Sequence, residues 1–400
     1  GKTSYYQENG KATVGWLELN DHKYYFDKEG SMVTGTANID GKDYTFNEKG
    51  ELYVPVKVEP KWVQEGNKWY YYNEDNEKVT GYQTIEGKKY YFDANGVMQT
   101  GWFKIDNADY YATSSGSITA QWVGSGNNWY YVDADGKMVT GFQTISGSKY
   151  YFETNGLMKK GWFKVNGTDY YASTSGEIKA QWVGSGNNWY YVDADGKMVT
   201  GFQTISGSKY YFETNGLMKK GWFVVDGTDY YASTSGEIKA QWVGSGNTWY
   251  YVDANGKMVT GFQTIAGAKY YFAESGLMQT GWFKINGEDY YAASSGAITA
   301  QWVGSGNTWY YVDTDGKMVT GFQTIAGAKY YFAESGLMQT GWFKINGEDY
   351  YAASSGVISA QWVGSGNTWY YVDAEGKMVT GDYKINGVVN YFDANGVWLG

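Results

Sequence analysis

The sequence predicts an all-β repeat protein, a β-solenoid of stacked 20-residue β-hairpins. Three observations predict it. The chain repeats every twenty residues inside a longer period of sixty, tight-turn pairs such as Asn-Gly recur between short runs of alternating polarity, and the composition suits strands and turns. Aromatic residues make up 20% of the 400, Gly contributes 56, Pro only 2 and Cys none. Aromatic side chains fit a pleated surface, and Gly supplies the backbone conformations that turns require.

The repeat is the strongest of the three. GFQTI begins at Gly141, Gly201, Gly261 and Gly321. Each sixty divides into three kinds of twenty. The first kind is Gly141–Lys160 (GFQTISGSKYYFETNGLMKK), the second Gly161–Ala180 (GWFKVNGTDYYASTSGEIKA) and the third Gln181–Thr200 (QWVGSGNNWYYVDADGKMVT). Residues 61–400 hold this register without a slip, as seventeen consecutive twenties. Residues 1–54 are an irregular N-terminal part with two recognisable units, Gly15–Thr34 and Gly35–Val54. The segment 55–60 (PVKVEP) holds both prolines and reads as a linker or as a bulge in a continuous array.

Each twenty predicts one hairpin. In the second kind, Trp162–Val165 and Thr168–Ala172 are strands and Asn166-Gly167 is the turn, because a type I′ turn needs positive φ at both central residues. A two-residue turn fixes the register: position 5 faces 8, 4 faces 9, 3 faces 10 and 2 faces 11. Trp182, Trp189 and Tyr191 therefore share one face, with Tyr190 and Val192 on the other. A lone hairpin cannot bury its aromatic face, so neighbours must stack.

Charge and chemistry exclude several functions. A net charge of −10 disfavours a nucleic-acid partner, since phosphate binding needs a basic surface. No stretch approaches the roughly 18 apolar residues of a membrane span, so no membrane insertion is expected. The first residues form no charged-then-apolar leader, so any signal peptide is expected to have been removed or never to have been part of this sequence. The single histidine, His22, sits at a hairpin turn, and the sequence offers no triad and no Cys–His pair. No catalytic residue, metal site or cofactor is expected. Asp193-Ala194-Asp195-Gly196 reads as an Asx turn rather than a calcium loop, which would need spaced oxygen ligands and a terminal Glu.

The third kind of unit resembles the choline-binding, cell-wall-binding repeat of Gram-positive surface proteins. The resemblance lies in Trp at position 2, Trp-Tyr-Tyr at 9–11, Gly at 16 and Met at 18. The first kind is similar to repeats of glucan-binding domains and of toxin receptor-binding regions. What the resemblance implies is a solenoid with about three hairpins per turn and ligand pockets between consecutive hairpins. Each pocket would combine the aromatics at positions 2 and 9 with the middle aromatic of the next unit. The implied ligand-binding sets are Trp62, Trp69 and Tyr90; Trp122, Trp129 and Tyr150; Trp182, Trp189 and Tyr210; Trp242, Trp249 and Tyr270; and Trp302, Trp309 and Tyr330. In the first of these units Asn76 and Lys78 stand where Gly and Met are usual. After Trp362 and Trp369 the equivalent residue is Asn390, so that box is expected to lack its third wall.

The other two junctions differ chemically. Phe142, Lys149 and Tyr170 would meet at one, and the lysine would repel a cation. Trp162, Asp169 and Tyr190 would meet at the other. The Trp at position 2 of second-kind units is expected to serve packing. One full aromatic box per sixty residues is expected, holding a quaternary ammonium by cation–π attraction. The expected function is non-catalytic attachment, secreted and cell-wall associated, through a choline-decorated cell-wall polymer. An α-glucan-binding module and a structural stalk or adhesin are the alternatives.

Overall fold

The computed structural model describes residues 2–400, and only the backbone of Ser125, Ser185, Ser245, Ser305 and Ser365. Among the described residues, thirty-eight strands of five residues pair into nineteen two-stranded antiparallel hairpins. The pairing is the one a two-residue turn demands: Trp182 faces Tyr191, Val183 faces Tyr190 and Gly184 faces Trp189. Asn166 and Gly167 take φ of 49° and 80°, both positive as a type I′ turn requires. Strands begin one residue earlier than expected, at Gly161 in that unit.

The chain forms two compact units, Gly1–Ala180 with Ala194–Lys197, and Gln181–Asp193 with Met198–Gly400. Within each, hairpins are tied to their predecessors by their own tails, the hairpin that follows residues 55–60 apart. In the second unit the Met218 N–H donates to the Trp189 carbonyl at 2.8 Å, and Met278 does the same to Trp249. The tail side chain then packs forward. A Cβ added to Gly216 would lie 2.2 Å from the sulfur of Met198, so the glycine at position 16 is the notch that receives the preceding unit's Met. That contact is why Gly at 16 and Met or Ile at 18 recur together.

The core is a series of small clusters rather than one interior. Phe212 and Val192 are fully buried, as are Phe272 and Val252 one period later. In one such cluster Ile205, Phe212 and Met218 carry Trp182, Trp189, Tyr191 and Tyr210 packed against them. The tails turn through Asx motifs: the Asp253 carboxylate accepts from the N–H of Asn255 and of Lys257 at 2.8 and 2.9 Å. No group of three or more potential metal ligands occurs among the described residues. Residues 55–60 carry no strand; the Val58 N–H donates to the Glu74 carbonyl, and the Lys57 ammonium pairs with Glu74 and Asp75.

Candidate functional site

The third-kind hairpin presents two tryptophans on one face, and the next hairpin closes against them. Trp182 meets Tyr210 edge to face, with ring centres 4.9 Å apart at 72°. The same pair recurs as Trp122 with Tyr150 at 4.9 Å, and as Trp62–Tyr90, Trp242–Tyr270 and Trp302–Tyr330 at 5.0 Å. Trp69 stands at right angles to Trp62 at 6.4 Å. T-shaped contacts of this kind suit the ring quadrupoles and leave ring faces turned to the same space.

From Trp129 onward the second tryptophans are held in place. The indole N–H of Trp189 donates to the Gly186 carbonyl at 2.7 Å, and those of Trp249 and Trp309 to Gly246 and Gly306 at 2.6 Å. Across the strand pair Gly184 has φ of 137°, and a Cβ there would come within 2.0 Å of the Asn188 carbonyl oxygen. Only glycine lets the backbone approach this closely opposite the tryptophan.

The walls enclose cavities. Trp242, Trp249 and Tyr270 line one of about 350 Å³, and Trp302, Trp309 and Tyr330 one of about 370 Å³. Trp182, Trp189 and Tyr210 line about 430 Å³, and Trp62, Trp69 and Tyr90 about 400 Å³. These volumes lie in the range of small-molecule sites. Trp122, Trp129 and Tyr150 come together on the cluster of Ile145, Phe152 and Met158. All five sets named from the sequence are thus brought together. At the first set Asn76 takes the left-handed φ of 58° in place of glycine, and Lys78 bridges Tyr72 as Met198 bridges Val192. The Lys78 ammonium lies 3.5 Å from the Tyr70 ring centre, outside the cavity walls.

Sequence reasoning missed three parts of the site. The first is the floor: Met98, Met218, Met278 and Met338 each line a cavity beneath the rings. The second is the rim, where Thr280 and Thr340 stand in two cavities and Lys220 in a third. The third is a related cavity of about 430 Å³ around Trp16 and Tyr44, whose rings lie 4.8 Å apart. Tyr44 follows Trp16 by the same twenty-eight residues that separate Tyr210 from Trp182, which is the signal that could have found it. Lys23 occupies the second tryptophan's place there and faces Glu18.

The other junctions are closed by the protein's own charges. The Lys149 ammonium lies 5.1 Å from the Phe142 ring centre and 2.8 Å from the Asp195 carboxylate. That lysine holds the Asp195 carboxyl below its ordinary range, chiefly through the hydrogen bond and then by charge. At the corresponding N-terminal junction Lys89 pairs with Asp135. Tyr82 replaces the phenylalanine there and donates to the Asp135 carbonyl at 2.9 Å. Burial first, then neighbouring Tyr110 and Asp135, pushes the Tyr82 phenol up to about 12.

In four second-kind units the carboxylate is tied across the strands, as in Lys164–Asp169 at 2.7 Å, whereas Asp229 faces Val224. The position-2 tryptophans of second-kind units are partly exposed, Trp162 at 41% and Trp222 at 42%. They pack edge to face all the same: Trp162 lies 5.2 Å from Tyr171 of its own hairpin, and Trp222 lies 5.2 Å from Tyr231 and 5.4 Å from Tyr250 of the next hairpin. Position 9 sets them apart from the third kind, since Asp169 stands there in place of a second tryptophan.

Two family models cover the array. A choline-binding repeat matches residues 79–122, 139–182, 199–242, 259–302 and 319–360, more than half the chain. A cell wall binding repeat matches seven shorter stretches, among them 121–138, 181–198 and 241–258. Among curated proteins no relative matches. Among solved structures the chain is similar to CbpJ from Streptococcus pneumoniae TIGR4, at 26% identity over 85% of this chain and 100% of that one, with a TM-score of 0.35. Choline binding protein F from Streptococcus pneumoniae shares 27% identity over 81% of this chain and 99% of its own, with a TM-score of 0.26. Alternansucrase in complex with isomaltononaose shares 20% identity over 85% of this chain but 23% of its own length, with a TM-score of 0.25. With its Trp/Trp/Tyr boxes set between successive hairpins, the chain belongs to the family of choline-binding, cell-wall-binding repeat proteins.

Proposed function

We propose that this chain is a non-catalytic attachment module that binds choline groups of cell-wall teichoic acids in its aromatic boxes. One observation carries the reading: in four sixty-residue-related positions two tryptophans, a tyrosine and a methionine line an open cavity of small-molecule size. A quaternary ammonium has no N–H to donate, so ring faces and a soft sulfur are the surfaces it can use. The overall negative charge favours a cationic ligand. Residues 61–400 would carry the choline boxes, residues 1–54 an altered one, and 55–60 would link them. A polymer bearing choline at intervals could be gripped at several boxes, which raises avidity without new contacts.

The serines at the rim favour one further reading. Ser294 and Ser295, with Ser354 and Ser355 one period on, place hydroxyls beside the rings. A sugar stacked on tryptophan could use them, which is the α-glucan alternative. Thermal unfolding separates the two, because a ligand of the folded state raises Tm. Choline at tens of millimolar should raise Tm and change tryptophan fluorescence, while soluble dextran or starch should do neither. The opposite pattern would replace the choline reading with the glucan one, and silence towards both would favour a stalk.

A further inference from the structure

The box that follows Trp362 and Trp369 has no tyrosine, because Asn390 stands where Tyr270 and Tyr330 stand in the preceding periods. The structure closes it from another position. Trp398 lies 5.4 Å from Trp362 at 73°, against 5.0 Å and 70° for Tyr270 on Trp242. The frame beneath is unchanged: Phe392 sits 5.8 Å from Trp362, and Phe272 sits 5.8 Å from Trp242. The backbone is unchanged too, since the Trp398 N–H donates to the Trp369 carbonyl at 2.8 Å, as Met278 does to Trp249. Trp398 therefore occupies the chain position of the floor methionine while its ring stands where the tyrosine ring would be.

The two exchanges are coupled. The Trp398 indole N–H donates to the Asn390 side-chain oxygen at 3.1 Å, and the Asn390 amide donates to the Val388 carbonyl at 3.2 Å. A tyrosine at 390 would fill the space that the indole takes, whereas asparagine vacates it and supplies an acceptor. Trp362, Trp369 and Trp398 remain 38–41% exposed, so all three rings are open to a ligand.

We propose that Trp362, Trp369 and Trp398 form a further quaternary-ammonium site, an all-tryptophan cage positioned by Asn390. The inference rests on the ammonium reading above and adds a site that neither the Trp/Trp/Tyr pattern nor the family match on residues 361–378 places. Indole is the strongest of the aromatic rings towards a cation. The site needs no hydroxyl and so discriminates against ligands that depend on one.

The full chain, labelled with 5-fluorotryptophan, tests this by fluorine NMR during titration with choline chloride. Trp398→Phe and Trp189→Phe each remove one resonance and so assign it. The expected result is a saturating shift of both resonances. A saturating shift at Trp189 with Trp398 unmoved would overturn the cage alone. Absence of any shift at either would overturn the ammonium reading and the cage together. Asn390→Ala, which keeps all three rings, should weaken the Trp398 isotherm about two- to tenfold through the lost hydrogen bond and leave that of Trp189 unchanged. An unchanged Trp398 isotherm in Asn390→Ala would remove asparagine from its positioning role.

Discussion

The ammonium of Lys269 lies 4.6 Å from the centre of the Phe262 ring and 2.6 Å from the Asp315 carboxylate. The junction between first- and second-kind hairpins thus carries a tethered cation of its own, in the kind of contact a free ammonium would make. Lys269→Met keeps the aliphatic stem and removes the charge. It should leave the number of choline sites unchanged in calorimetric titration. It should also cost about 0.5–1 kcal/mol at low salt, since the pair is partly exposed and screened. A Tm loss that shrinks with added salt is the sign to look for.

Trp189 and Trp162 sit in equivalent faces of neighbouring kinds of hairpin and should behave differently. Trp189→Ala opens one box, so titration should show one site fewer while the remaining isotherms are kept. Trp162→Ala removes a ring that is already 41% exposed. Its cost should stay below the ~3–5 kcal/mol of a buried tryptophan truncation, with choline stoichiometry unaltered.

The boxes should differ in affinity because their rims differ. Lys220 stands at the cavity of Trp182 and Trp189, where Thr280 stands at that of Trp242 and Trp249. A like charge about 8 Å away in water opposes a bound cation by roughly 0.5 kcal/mol. Lys220→Thr should therefore tighten that box about twofold at low ionic strength. Raising the salt to 0.5 M should erase the gain.

The pairing of Lys149 with Asp195 gives a pH signature. The Asp195 carboxyl is depressed below its ordinary value by the lysine's hydrogen bond and charge. Its folded value lies below its unfolded one. Its contribution is then fully present above the unfolded carboxylate pKa and is lost as pH falls through the folded value. Carboxyl carbon NMR should find the Asp195 midpoint below that of a solvated aspartate. In Lys149→Met it should return to the ordinary range.

Much of this was legible in the sequence because a two-residue turn leaves no freedom of register. Once Asn166-Gly167 is a turn, the facing of Trp162 with Tyr171 follows, and with it the sharing of a face by Trp182 and Trp189. Residues joined across hairpins were harder to read. Trp398 occupies a position filled by methionine or isoleucine in most other units, and strand periodicity does not say which way a tail side chain turns. The Lys149–Asp195 pair spans 46 residues, a separation set by how hairpins stack and not by any local pattern.

The seating of each tail methionine or isoleucine in the next hairpin's glycine notch bears on how such a chain can change length. The notch at Gly216 receives Met198, and the notch at Gly276 receives Met258 in the same way. Removing or inserting sixty residues between two such points rejoins a methionine to a glycine identical to the one it lost. No new interface has to be invented, and each folding contact stays near in sequence. Recombination between near-identical repeats, such as the matching Gly141–Lys160 and Gly201–Lys220, would yield descendants that differ in valency while remaining foldable. Copy number then becomes a quantity on which selection can act, separately from the chemistry of any single box.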